Sequence, residues 1–255
     1  MEKIDYEKLL QAVLDIGEEM VTAGAEISRV EDTMNRIGMA FGAQKMNVFV
    51  ITSHIIVTIS WPDGASLTET RRIRRDTGND FVKLEELNAL SRRFCASPFS
   101  IHEFGQRLSR IRGIHSSRRD VLFGSVLVAF SFALFFGGNI ADAVAAGAVA
   151  VFIFWMQTYI QPICLNTISF TCSASFLSGF LISLLTFLLP FLHRDKILIG
   201  DIMLLVPGIM FTNAFREVLL GDTISGVLRL LEAVLLAAAM ALGIMAAMWL
   251  AGQLF

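Results

Sequence analysis

Apolar residues recur at three-to-four spacing from the start of the chain. Leu9, Val13, Ile16 and Met20 lie on one face and predict an amphipathic helix that stops at Ala23-Gly24-Ala25. A second stripe, Ile27, Val30, Met34, Ile37 and Phe41, predicts another helix closed by Gly42. Ser28-x-x-Glu31 has the spacing of a capping box, in which each side chain satisfies the other's backbone N–H. The period then changes to two. Val48–Ile51 and Ile55–Trp61 are rich in β-branched and aromatic residues, with Ile55, Val57, Ile59 and Trp61 on one face and His54, Thr58 and Ser60 on the other. Pro62-Asp63-Gly64 predicts a turn, because proline presets φ and glycine accepts positive φ. Ser66–Ile73 predicts a third strand. Two more stripes, Leu84, Leu87, Leu90, Phe94 and Ile101, Phe104, Leu108, Ile111, predict two further helices. Residues 1–118 therefore read as a small α+β domain.

After that point alternation gives way to long apolar runs, and about 20 such residues suffice to cross a bilayer. Residues 121–137, 140–160, 165–189, 196–219 and 223–252 supply five candidates. The expected fold is an α+β cytoplasmic domain (1–118) followed by an all-α polytopic membrane domain of five transmembrane helices (119–255). Charge follows the same division: residues 1–120 hold 17 of the 21 Lys/Arg and 17 of the 23 Asp/Glu. Arg107, Arg110, Arg112, Arg118 and Arg119 crowd the approach to the first run, which by the positive-inside rule places the amino-terminal domain in the cytoplasm. MEKIDYEKLL has neither a basic n-region nor an apolar h-region, so no cleavable signal peptide is expected. A net charge of −2 argues against nucleic acid as a partner.

The few charges in the apolar half are concentrated in one segment. Leu204–Glu232 breaks at Pro207-Gly208 and then carries Thr212, Asn213, Arg216, Glu217, Gly221-Asp222, Arg229 and Glu232. Ionisable groups within membrane segments are costly and mark functional sites by default. In transporters, broken helices expose backbone at mid-membrane and aim a helix N-terminus at an anionic group. Thr212/Arg216 and Asn213/Glu217 share helix faces at i,i+4, and Arg229/Glu232 at i,i+3. Arginine forks onto a carboxylate and Thr or Asn completes the hydrogen bonding, so a carboxylate-bearing solute suits Thr212, Asn213, Arg216 and Arg229. Asp201, Glu217 and Glu232 are candidate proton carriers. The alternative is a proline kink with ion pairs at the membrane surface. The third run is rich in small and hydroxylated residues, Thr167 to Gly179, which suit either close packing with bonds across to a neighbouring helix or a polar path.

Other chemistry finds little support. Cys95, Cys164 and Cys172 lack metal or disulfide spacing and read as small buried hydrophobes. His54, His102, His115 and His193 form no ligand set. No phosphate loop, dinucleotide fingerprint, nucleophile elbow or HExxH occurs, so neither an enzyme nor an ATP-driven pump is expected, and no cofactor or metal. Arg71, Arg72, Arg74 and Arg75 form a basic cluster, either a solvated face or a partner surface.

Two stretches carry a family resemblance. Residues 23–34, AGAEISRVEDTM, resemble the amino-terminal signature of the threonine/serine exporter (ThrE-like) family, which includes YjjP-like members. Pro207-Gly208, Thr212-Asn213-Ala214-Phe215-Arg216-Glu217 and Gly221-Asp222 resemble its membrane hallmark, and Arg71-Arg72-Ile73 also fits. The resemblance implies export across a bacterial plasma (inner) membrane driven by the proton gradient. Threonine or serine is the cargo in one branch and succinate in the YjjP-like branch. Gly24, Glu26, Ser28, Arg29 and Glu31 would shape the cytoplasmic domain or its contact with the pore. Stopping after five spans resembles the longer half of a two-protein system, so a second small multi-span membrane subunit, a homo-oligomer, or both are expected partners. A membrane-anchored metabolite sensor without transport is the competing reading.

Overall fold

The computed structural model describes residues 6–73, 78–114 and 117–254, and the chain packs as two compact units. The first is Met1–Ser116 together with Thr212–Leu230; the second is Ser117–Phe211 with Leu231–Phe255.

The first unit begins with α1 (Tyr6–Thr22) and α2 (Ile27–Ala40). A three-stranded antiparallel sheet follows, β1 (Lys45–Ile51), β2 (His54–Ser60) and β3 (Ser66–Arg72), with β2 central. Val48 pairs with Val57 and Thr58 with Thr68. Ile55, Val57, Ile59 and Trp61 are buried as the alternation requires, while the Thr58 and Thr68 hydroxyls meet at 2.8 Å on the outer face. The turn forms at Asp63-Gly64, where Gly64 has φ +87° and Asp63 accepts the Ala65 N–H. α3 (Phe81–Ala96) and α4 (Ile101–Arg112) close the core through Phe94 and Phe104, which pack edge to face at 5.3 Å. Each such ring contributes about 1.5–3 kcal/mol by burial.

A charged seam joins these elements. Asp15, Glu18 and Glu19 line α1; Arg71 of β3 pairs with Asp15 and Glu18, and Lys83 and Arg112 both reach the fully buried Glu19. Arg71 is therefore tied into its own domain, whereas Arg74 and Arg75 lie outside the described residues. The expected capping box does not form. α2 starts at Ile27, its N-cap residue is Glu26, and the Glu31 carboxylate instead accepts the Val50 N–H of β1 at 2.8 Å. Ser28 consequently sits inside the first turn, too far along to cap it.

In the second unit, α5 (Arg118–Phe135), α6 (Ile140–Tyr159), α7 (Thr167–Leu188) and α8 (Arg194–Ile202) come first. They are followed by the first residues of α9 (Gly208–Leu220) and most of α10 (Thr223–Leu254). Small residues let the helices approach: Ala129, Ala133, Ala143, Ala146 and Ala150 are all buried, and Gly200 lies against the Ala129 carbonyl. Asn139 and Asp142 form a reciprocal capping box at the start of α6. Asp142, fully buried, also accepts the His193 N–H at 2.7 Å and bonds its ring at 3.0 Å, anchoring the start of α8.

Three of the five expected spans are helices long and apolar enough to cross a membrane: Ile140–Ile163, Thr167–Leu188 and Thr223–Leu254. The other two depart from the pattern. α5 carries Arg118, Arg119 and Asp120 in its first turn, and the expected fourth span is two short helices, α8 and α9. The Thr171, Ser173 and Ser183 hydroxyls of α7 bond within their own helix rather than across to a neighbour. Each donates to the carbonyl four residues back, which satisfies it inside an apolar unit. Close packing of α7 comes from glycine instead: a side chain at Gly243 of α10 would strike the Cys172 carbonyl, and one at Gly179 would press Ala247. The three cysteines are free and half-buried, not fully buried.

Candidate functional site

Both sequence motifs end helices by the same device. After α1, the Ala25 N–H bonds Met20 O and the Gly24 N–H bonds Val21 O, with Gly24 at φ +87°. After α9, the Asp222 N–H bonds Glu217 O and the Gly221 N–H bonds Val218 O, with Gly221 at φ +98°. These are Schellman motifs, which need a residue tolerant of the left-handed conformation. The first presents the 25–27 loop; the second turns α9 sharply into α10.

Within the first unit these two turns meet. Arg216 Nη1 lies 2.6 Å from Glu26 Oε1, a pair in which the arginine side chain is 55% exposed. Glu217, with no exposed surface, accepts the Ile27 N–H at 3.4 Å and pairs with Arg229 at 3.3 Å. Arg229, 6% exposed, also donates to the Ala25 carbonyl at 3.5 Å. The second oxygen of Glu217 has no hydrogen-bond partner among the described residues. A carboxylate at the start of α2 is favoured by the positive end of the helix dipole. Glu31, one turn along α2, is half-buried; burial pushes its carboxyl above the ordinary range, against the Val50 N–H, and Asp222 adds a like charge.

Of the residues singled out in the sequence, Arg216, Glu217 and Arg229 thus come together with Glu26, and Gly24 shapes the loop they hold. Thr212 and Arg216 are exposed on α9, and Asn213 is half-buried. Ser28 is half-buried and Arg29 exposed. Asp201 and Glu232 belong to the second unit. Glu232 is exposed. Asp201 closes α8 at 2% exposure, and neither carboxylate oxygen has a hydrogen-bond partner among the described residues. α8 ends at Ile202 and α9 starts at Gly208, so the interval between them contains Pro207, whose carbonyl accepts the Phe211 N–H of the new helix. The joining of Glu217 and Arg229 to residues 25–27 was not anticipated. It spans about 190 positions, and no local spacing signals it.

Three helices long and apolar enough to cross a membrane, in a chain whose other unit carries the small sheet, are the features of a membrane protein. The family model described as "Putative threonine/serine exporter" (ThrE) matches residues 11–251, and the chain belongs to that family. No curated protein and no solved structure matches the chain.

Proposed function

We propose that the chain is a subunit of a proton-gradient-driven secondary exporter of small carboxylate-bearing metabolites, threonine and serine first. Its amino-terminal domain is cytoplasmic and its helices lie in a bacterial plasma membrane. Arg216 takes the solute carboxylate, with Thr212 and Asn213 beside it, after the break at Pro207-Gly208. Arg229 stays with Glu217. Family membership supports export. The observation that carries the proton coupling is Asp201, a buried carboxyl without a donor among the described residues, six residues before Pro207. An ion buried without a partner is costly, and in membrane proteins such groups belong to proton and ion pathways. Glu217 and Glu232 are the other acids of that pathway. A second small multi-span subunit or a second copy of this chain completes the route.

The test is efflux of labelled threonine at an imposed pH gradient from cells carrying wild type or Asp201→Asn at equal expression. Loss of the gradient dependence in Asp201→Asn is expected. An unchanged dependence would remove Asp201 from the coupling. Succinate as cargo is the alternative within the same scheme, and the same cells read it.

A further inference from the structure

Helix α2 starts without a local side-chain cap, since its N-cap residue Glu26 makes no side-chain cap bond. Glu217 supplies the acceptor from 190 residues away, and Arg229 holds both that carboxylate and the Ala25 carbonyl. The Arg216–Glu26 pair at 2.6 Å lies beside them on the solvent side, while the buried Glu217 and Arg229 contacts bring the α9–α10 corner onto Ala25 and Ile27. The lengths of these buried contacts, 3.3 to 3.5 Å, are beyond the usual range of a firm hydrogen bond, and one oxygen of the buried acid has no hydrogen-bond partner among the described residues. A buried ion pair needs good geometry and full hydrogen bonding to offset its desolvation. This one has neither.

From this we infer that Glu217 and Arg229 form a releasable latch, which holds the 25–27 loop to the α9–α10 corner in this state and frees it in another. The latch rests on the exporter reading for its consequence: it opens and closes once in each transport cycle. α9 and α10 are suited to such a role because each contributes residues to both units of the chain.

Amide hydrogen exchange on the full-length protein in lipid nanodiscs tests the latch directly. In Glu217→Gln and Arg229→Gln, exchange at residues 27–30 rises about tenfold or more while that of α1 is unchanged. Arg229→Lys, which keeps a charge near Glu217, retains most of the protection. Unaltered exchange in both glutamine variants overturns the proposal. So does a uniform loosening of α1 to α4, which would make the pair a plain support of the core. Efflux from Arg229→Gln reads the consequence: an altered rate supports the latch, and a wild-type rate with the loop released overturns its part in the cycle. If the wild-type protein exports none of the solutes, the exporter reading fails, and the exchange pattern alone still decides the latch.

Discussion

Removing the Arg216 guanidinium should weaken export in proportion to what a carboxylate gains from it. Arg216 is engaged by one Glu26 oxygen at 2.6 Å and is more than half exposed, so its fork has room for a second carboxylate. A hydrogen bond to a charged group is worth about 1.5–3 kcal/mol, and Arg216→Ala should therefore lower the transport specificity constant on the order of 10- to 150-fold. Arg216→Lys should recover only part of this, because an ammonium lacks the planar fork. Glu26→Gln removes the competing carboxylate. That pair, open to solvent on the arginine side, contributes about 0.2–1 kcal/mol, so apparent affinity should improve roughly 1.4- to 5-fold. The assay is initial efflux rate against internal solute concentration at matched expression, with a neutral amino-alcohol analogue as control. Equal losses for solutes with and without a carboxylate, or no loss in Arg216→Ala, would refute the assignment.

Other consequences follow from the packing. Gly24→Ala forces a side chain into the left-handed conformation and against the Gly78 carbonyl and Asn79, and should cost about 1–3 kcal/mol in denaturant unfolding; a change below about 0.5 kcal/mol would contradict the observed turn. Lys83→Met with Arg112→Met leaves Glu19 buried without these two cations and should destabilise the first unit by about 3–5 kcal/mol, more than Glu19→Met does; the reverse order of unfolding midpoints would contradict the seam. The raised carboxyl of Glu31 gives stability that is complete below the ordinary glutamate range, about pH 4, and is lost as pH rises through its folded value. Glu31→Gln should therefore gain on wild type as pH rises from 4 to 8, and a flat difference would exclude the effect. Gly243→Leu drives a side chain into the Cys172 carbonyl and should separate α7 from α10, read as lost cross-linking between cysteines placed on the two helices; undiminished cross-linking would contradict their close approach.

Much of the first unit was legible because its local periods agree with its burial. Val13, Ile16, Met34 and Ile37 at helical spacing, and Ile55, Val57 and Ile59 at strand spacing, are the residues that become core. Glu31 was misread for a physical reason. A capping box requires Ser28 to be the N-cap, but after the Gly24 turn the N-cap is Glu26, two residues earlier, and Glu31 turns toward β1. Hydropathy alone joined α8 and α9 into one span, since it does not register how completely the 203–207 segment leaves the helix. The meeting of Glu26, Glu217 and Arg229 is purely tertiary. Each motif was visible in the sequence, but their pairing depends on how 116 residues fold around a corner that follows much later.

Efflux of labelled threonine, serine and succinate tests the central claim most directly. Cells lacking native exporters would express this chain alone or with the product of its neighbouring gene, with and without a protonophore. The account predicts export of one of these solutes that collapses with the proton gradient and falls in Arg216→Ala and Asp201→Asn. Verified membrane expression with no gradient-dependent efflux of any of the three, alone or with the partner, would contradict it.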